Sequence, residues 1–113
     1  MVVRVLANTV KNYAGKEVLL QGWVYRKRER GGIIFVIMRD VSGIVQIAIK
    51  KEAVDQASWQ AANDTTIESS IKAKGLVKQD DRAPNGFEVL ASSFENVHVS
   101  QPFPITDYQS PEF

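Results

Sequence analysis

Three kinds of side chain that can hold an unpaired nucleic-acid strand fall close together in this chain: guanidinium cations at Arg26 and Arg28, an aromatic ring at Phe35 and an amide at Gln46. Cations engage phosphates, a ring stacks on the face of any base, and an amide offers both a donor and an acceptor to a base edge. The charge distribution agrees with that chemistry. Residues 22–51 carry seven basic residues against two acidic ones, a local +5 in a chain of formal net charge +1, so the remainder carries −4. A neutral whole with a segregated positive stretch suits a local surface for a polyanion.

Other chemistries are poorly represented. The chain has no cysteine and a single histidine, His98, which cannot build a metal site alone. No phosphate-cradling glycine loop occurs, and no serine, histidine and acid set points to a nucleophile. No run approaches the roughly 20 apolar residues that span a bilayer. The expectation is a soluble, cytoplasmic, non-membrane protein without a cofactor of its own.

The elements that must position these residues follow from periodicity. At 113 residues with 44% hydrophobic content the chain has material for one domain and a modest core. Val2 to Leu6 reads as a short opening strand, and the spacing of Leu6, Val10 and Tyr13 before Gly15 predicts a short helix from Ala7 to Ala14. Val18 to Glu29 is a long strand interrupted at Gly22, where a bend would let it join two sheets. Gly31-Gly32 supplies the positive φ of a tight hairpin turn.

Along Ile33 to Asp40, Ile34, Val36 and Met38 face one way while Ile33, Phe35, Ile37 and Arg39 face the other. The next strand repeats this, with Val45, Ile47 and Ile49 inward and Gln46, Ala48 and Lys50 outward, which sets Phe35 and Gln46 on one outer face. Glu52 to Asn63 reads as a helix anchored by Trp59. A fourth strand alternates from Ile67 to Val77, Asp80 to Gly86 is a loop, and Phe87 to Ser100 is a fifth strand bulged around Ser92-Ser93. Five strands with a helix between the third and fourth are the layout of the all-β OB-fold, a Greek-key barrel that presents its second and third strands to oligonucleotides. Residues 101–113, with three prolines, read as an extended linker after a domain spanning 1–100.

The run Gly22-Trp23-Val24, then Arg26 and Arg28, then Phe35, Arg39-Asp40, Gly43 and Gln46 closely resembles the N-terminal anticodon-binding domain of the class IIb aminoacyl-tRNA synthetases, which serve aspartate, asparagine and lysine. Asp80-Asp81-Arg82-Ala83-Pro84-Asn85-Gly86-Phe87-Glu88-Val89 and the tail from Pro102 resemble the asparaginyl branch most; the aspartyl branch is the alternative. The resemblance implies a tRNA anticodon loop as partner. Phe35 would stack on a base, Gln46 would meet the uracil at the middle position, and Glu88 would accept from guanine N1 and N2 at the first. It gives Arg28, or Arg26 as second choice, a backbone or base-edge contact, while Lys78 and Arg82 either approach the third anticodon base or remain solvated. Trp23, beside the bend, is expected to pack rather than bind.

The resemblance further implies a parent enzyme that uses ATP and magnesium in a catalytic domain beyond residue 113 and works as a homodimer, with this domain by itself monomeric and inactive in aminoacylation. A stand-alone single-strand-binding OB module, or a barrel that contacts protein, would share the same strand pattern.

Overall fold

The computed structural model describes residues 2–99, so the linker expected over 101–113 lies outside the described residues. Strand β1 (Val3–Arg4) is followed by a 3₁₀ helix (Ala7–Tyr13), then β2 (Glu17–Arg30), β3 (Ile33–Asp40) and β4 (Gly43–Lys50). Helix α1 (Gln56–Asp64), β5 (Ser70–Gln79), a 3₁₀ turn (Pro84–Gly86) and β6 (Phe87–His98) complete it. The strands lie in the order β1-β2-β3-β4-β6-β5, and β2 pairs with β5 to close the barrel. It is an all-β OB-fold.

Closure depends on β2 serving two neighbours. Glu17 to Trp23 pairs with β5, and Trp23 to Arg30 pairs with β3. Gly22 sits at the changeover, where a Cβ would collide with the Arg39 carbonyl and press on Met38. The strand changes phase slightly later, however: Val24 faces Met38 and Arg26 faces Ile37, leaving Tyr25 as the extra residue of a bulge. Before it, the even residues Val18, Leu20 and Val24 are buried; after it, Lys27 stands opposite buried Val36 and Arg28 opposite outward Phe35. The bulge therefore turns Arg26, Arg28 and Arg30 outward.

The Gly31-Gly32 turn has φ values of +54° and +83°, as a tight hairpin of this twist requires. In β3 and β4 the faces are as the alternation predicts, with Ile34, Val36, Met38, Val45, Ile47 and Ile49 all buried. The second anticipated bulge is present too: Lys74 pairs with Ser93 and Gly75 with Ala91, so Ser92 is the extra residue, and its hydroxyl donates to the Lys74 carbonyl at 3.3 Å.

Several boundaries differ from the expectation. The opening strand is only Val3–Arg4, running parallel to β2, and Leu6 is exposed while Ala7 and Val10 of the 3₁₀ helix enter the core. Helix α1 starts at Gln56 because Asp55 caps it, its carboxylate accepting from the Ser58 N–H at 2.8 Å. Trp59 only flanks the core; Ser58 and Ala62 are the buried residues of that helix, and the Ser58 hydroxyl accepts from the Phe94 N–H at 3.0 Å. Ile67 is exposed and Glu68 takes a left-handed φ of +72°, so the strand begins at Ser70. Also, β4 and β6 pair in parallel, a seam that alternation within each strand does not reveal.

One buried acid ties the ends of this frame together. Asp40 accepts from the Ala7 N–H at 2.8 Å, the Ser42 N–H at 2.8 Å, the Ser42 hydroxyl at 2.6 Å and the Gly43 N–H at 3.2 Å. Burial, the largest single influence, pushes its pKa up. The four donors together outweigh that and hold it below the usual carboxylate value.

Candidate nucleic-acid interface

Two ranks of outward side chains cross the barrel. In the first, Arg28, Phe35, Ala48 and Leu90 stand side by side on β2, β3, β4 and β6. In the second, Arg26, Ile37, Gln46, Glu88 and Lys78 follow through the same strands to β5. Phe35 and Gln46 are thus diagonal neighbours on adjacent strands.

Between the ranks lies an open groove of about 330 Å³, lined by Arg28, Phe35, Gln46, Lys78, Arg82 and Glu88, with Ala48 and Leu90 beneath. Six of the seven residues singled out in the sequence therefore meet at one place. Arg26 does not reach the groove and instead lies over the Tyr25 ring. Arg30 and Lys50 also line it and were not among the candidates; Arg30 shares the outward phase of Arg28 once the Tyr25 bulge is known. Ala48, although outward, is only 2% exposed, because it forms the floor between Phe35 and Leu90.

The polar end of the groove is ordered. Gln46 Nε2 donates to Glu88 Oε2 at 2.7 Å. With one N–H committed, the amide keeps its carbonyl and its second N–H for a ligand, a donor and acceptor pair that matches uracil N3–H and a neighbouring carbonyl. Glu88 is 7% exposed, with lone pairs left for an N–H donor pair. At the apolar end the Arg28 guanidinium carbon lies 5.3 Å from the Phe35 ring centroid. A base sandwiched between them would need roughly 7 Å, two contact distances. A base could therefore not enter between the two without displacing Arg28.

The loop after β5 brings the last cation. Asp80 accepts from the Arg82 N–H at 3.0 Å, which holds its pKa down, and pairs with Arg82 Nε at 3.3 Å. The Arg82 side chain is 92% exposed, so this pair is solvated and weak, and Arg82 can leave it at little cost.

Two further residues of the same stretch lie outside the groove. Lys27 belongs to the basic run but points to the opposite face, where Nζ donates to the Asn63 carbonyl at 2.8 Å and the Thr65 carbonyl at 2.9 Å at the end of α1. Burial lowers its pKa, with Glu29 and Asp64 opposing the shift. Trp23 is 42% exposed and lines an apolar cleft with Leu6, Val41 and Val97, away from the groove.

Residues 18–97 match the family model of the OB-fold nucleic acid binding domain of the tRNA anti-codon type. The chain is 43% identical over 103 residues to the asparagine–tRNA ligase of Pelotomaculum thermopropionicum, covering 91% of this chain and 24% of that protein. It is 48% identical over 99 residues to the asparagine–tRNA ligase of Thermococcus gammatolerans, covering 88% and 23%. The asparaginyl-tRNA synthetase of Pyrococcus horikoshii, solved with asparaginyl-adenylate, superposes with a TM-score of 0.84 at 38% identity, covering 93% of this chain and 24% of that one. The chain thus spans about a quarter of the length of the curated relatives it matches.

Proposed function

The chain belongs to the OB-fold nucleic acid binding domain family, and on that premise we propose that its groove binds the anticodon loop of tRNA in the service of an asparagine–tRNA ligase. The observation that carries the reading is the convergence of a stacking ring, an amide and a carboxylate in one groove bordered by cations. Phe35 stacks a base, Gln46 reads uracil at the middle position and Glu88 accepts from guanine at the first, while Arg28, Lys78 and Arg82 meet phosphates or the third base. The identity of 35–48% to curated asparagine–tRNA ligases supports the asparagine branch.

In this reading the domain selects tRNA and performs no bond chemistry. ATP and magnesium belong to the catalytic part of such a ligase, and activation of asparagine takes place there.

The test is a titration of labelled stem-loops at one fixed salt concentration. A loop with an asparagine anticodon should bind at least about tenfold more tightly than the same stem carrying a scrambled loop, the order expected for losing one or two good base contacts. Equal affinities would leave only a general single-strand binder.

A further inference from the structure

Gln46 and Glu88 are partners in the parallel β4–β6 seam, so the two backbones hold the side chains in register, and Gln46 Nε2 stands 2.7 Å from Glu88 Oε2. Among the described residues Glu88 forms no ion pair, and Gln46 is its hydrogen-bond donor. A carboxylate only accepts, whereas an amide can turn over and exchange its oxygen for its nitrogen at nearly the same shape. Turning Gln46 over would set its carbonyl oxygen against the carboxylate. Two acceptors would then face each other where Glu88 is only 7% exposed and little solvent separates them. The contact thus holds the amide in one sense.

That sense matters to a pyrimidine. Uracil has a hydrogen on N3 and a carbonyl at C4, while cytosine has a lone pair on N3 and an amino group at C4, so the two offer one outline with donor and acceptor exchanged. An amide with its oxygen at N3 accepts from uracil but meets a second lone pair on cytosine. Turned over, the same amide donates to cytosine N3 and accepts from its amino group. A glutamine free to turn therefore serves both bases, and one held in a single sense tells them apart. Glu88 can be served by the N–H trans to the carbonyl, which leaves the carbonyl and the cis N–H side by side as the edge that a base meets.

We propose that Glu88 is a positioning residue for Gln46: by holding the amide nitrogen it keeps the carbonyl toward N3 of the middle base and makes the groove refuse cytosine there. The inference rests on the anticodon reading above and adds to it the source of the choice between the two pyrimidines. It leaves the second Glu88 oxygen for the first base.

The experiment titrates three stem-loops at one salt concentration, alike except that the middle anticodon position carries uracil, cytosine or no base. The wild type should favour uracil over cytosine by about tenfold or more, the range of one good base contact. In Glu88→Gln, whose amide partners Gln46 in either sense, that ratio should fall to within about threefold, because each orientation then serves part of the population. Any contact between Glu88 and the first base is lost from all three loops alike and cancels. The uracil loop should keep its advantage over the loop without a middle base to within about twofold; a groove merely loosened by the substitution would lose both preferences together. Glu88→Met, which holds the amide in neither sense, should behave as Glu88→Gln does and serves in its place if that variant does not fold. A wild-type ratio of uracil to cytosine retained in the variant, equal loss of both preferences, or a wild type indifferent to the two pyrimidines overturns the positioning role. Preference of the wild type for the asparagine loop over a scrambled one is read in the same titrations; its absence would overturn the anticodon reading itself.

Discussion

At the scale of single residues, the groove sets a ring, Phe35, beside the polar pair of Gln46 and Glu88, and the proposed reading gives affinity to the first and choice to the second. Phe35 stands beside Ala48 on the next strand, with the Arg28 guanidinium carbon 5.3 Å from its ring centroid. Phe35→Ala should weaken binding of the asparagine stem-loop by about 1 to 3 kcal/mol, the usual worth of one stacked base, with the melting temperature little changed because the ring is only half-buried. Affinity equal to wild type would remove the stack from the account. The faces of Phe35 and Gln46 were legible in the sequence because β3 and β4 each bury one side, so the two-residue period fixes which residues look outward. The burial of Ala48 was not, since a methyl group on the outer face is covered only by what its neighbours on other strands provide.

At the scale of elements, the phase change in β2 decides which of its basic residues turn outward. Gly22 announced a bend, and a Cβ there would strike the Arg39 carbonyl. The bulge itself falls at Tyr25, a residue type that carries no such signal, so alternation separates Lys27 from Arg26 and Arg28 but could not show which of the two sets faces outward. Lys27 instead fastens the end of α1 to β2 through two carbonyls. Lys27→Met should cost about 1 to 2 kcal/mol of stability in denaturant unfolding, in line with losing charged hydrogen bonds at a helix C-terminus. Its stem-loop binding should keep the wild-type salt response; a flattened response would return Lys27 to the RNA face. Asp40 performs the matching task at the start of the chain, joining the 3₁₀ helix to the β3–β4 turn. Its folded pKa lies below the unfolded value, so its contribution is fully present above the unfolded pKa of about 3.9 and disappears as pH falls through the folded one. Thermal melts from neutral pH down to about pH 2 should therefore show part of the stability falling away below about pH 4. In Asp40→Asn that part of the acid-dependent loss should be missing from a protein already less stable at neutral pH. An identical acid profile in the variant would assign the loss to other carboxylates.

At the scale of the whole molecule, the interface exists because the barrel closes. Gln46 and Glu88 are 42 residues apart in the chain and touch only because β4 and β6 pair in parallel. Lys78 joins them across the antiparallel β5–β6 seam. The sequence contained the strand count, the hairpin turns and the Ser92 bulge, all written in local glycine, proline and alternation patterns. It held no local trace of the parallel seam, which is set by how strands meet after closure. Closure also converts a nearly neutral chain into one with a cationic outer face. The most direct measurement is a binding cycle that crosses Gln46→Ala with a uracil-to-cytosine change at the middle anticodon base, using stem-loops at constant salt. The wild type should lose about 1 to 3 kcal/mol on the base change and the variant should lose almost nothing, a coupling close to the full wild-type penalty. Equal penalties in both proteins would mean that Gln46 does not read that base and that the groove binds without reading it in the manner described.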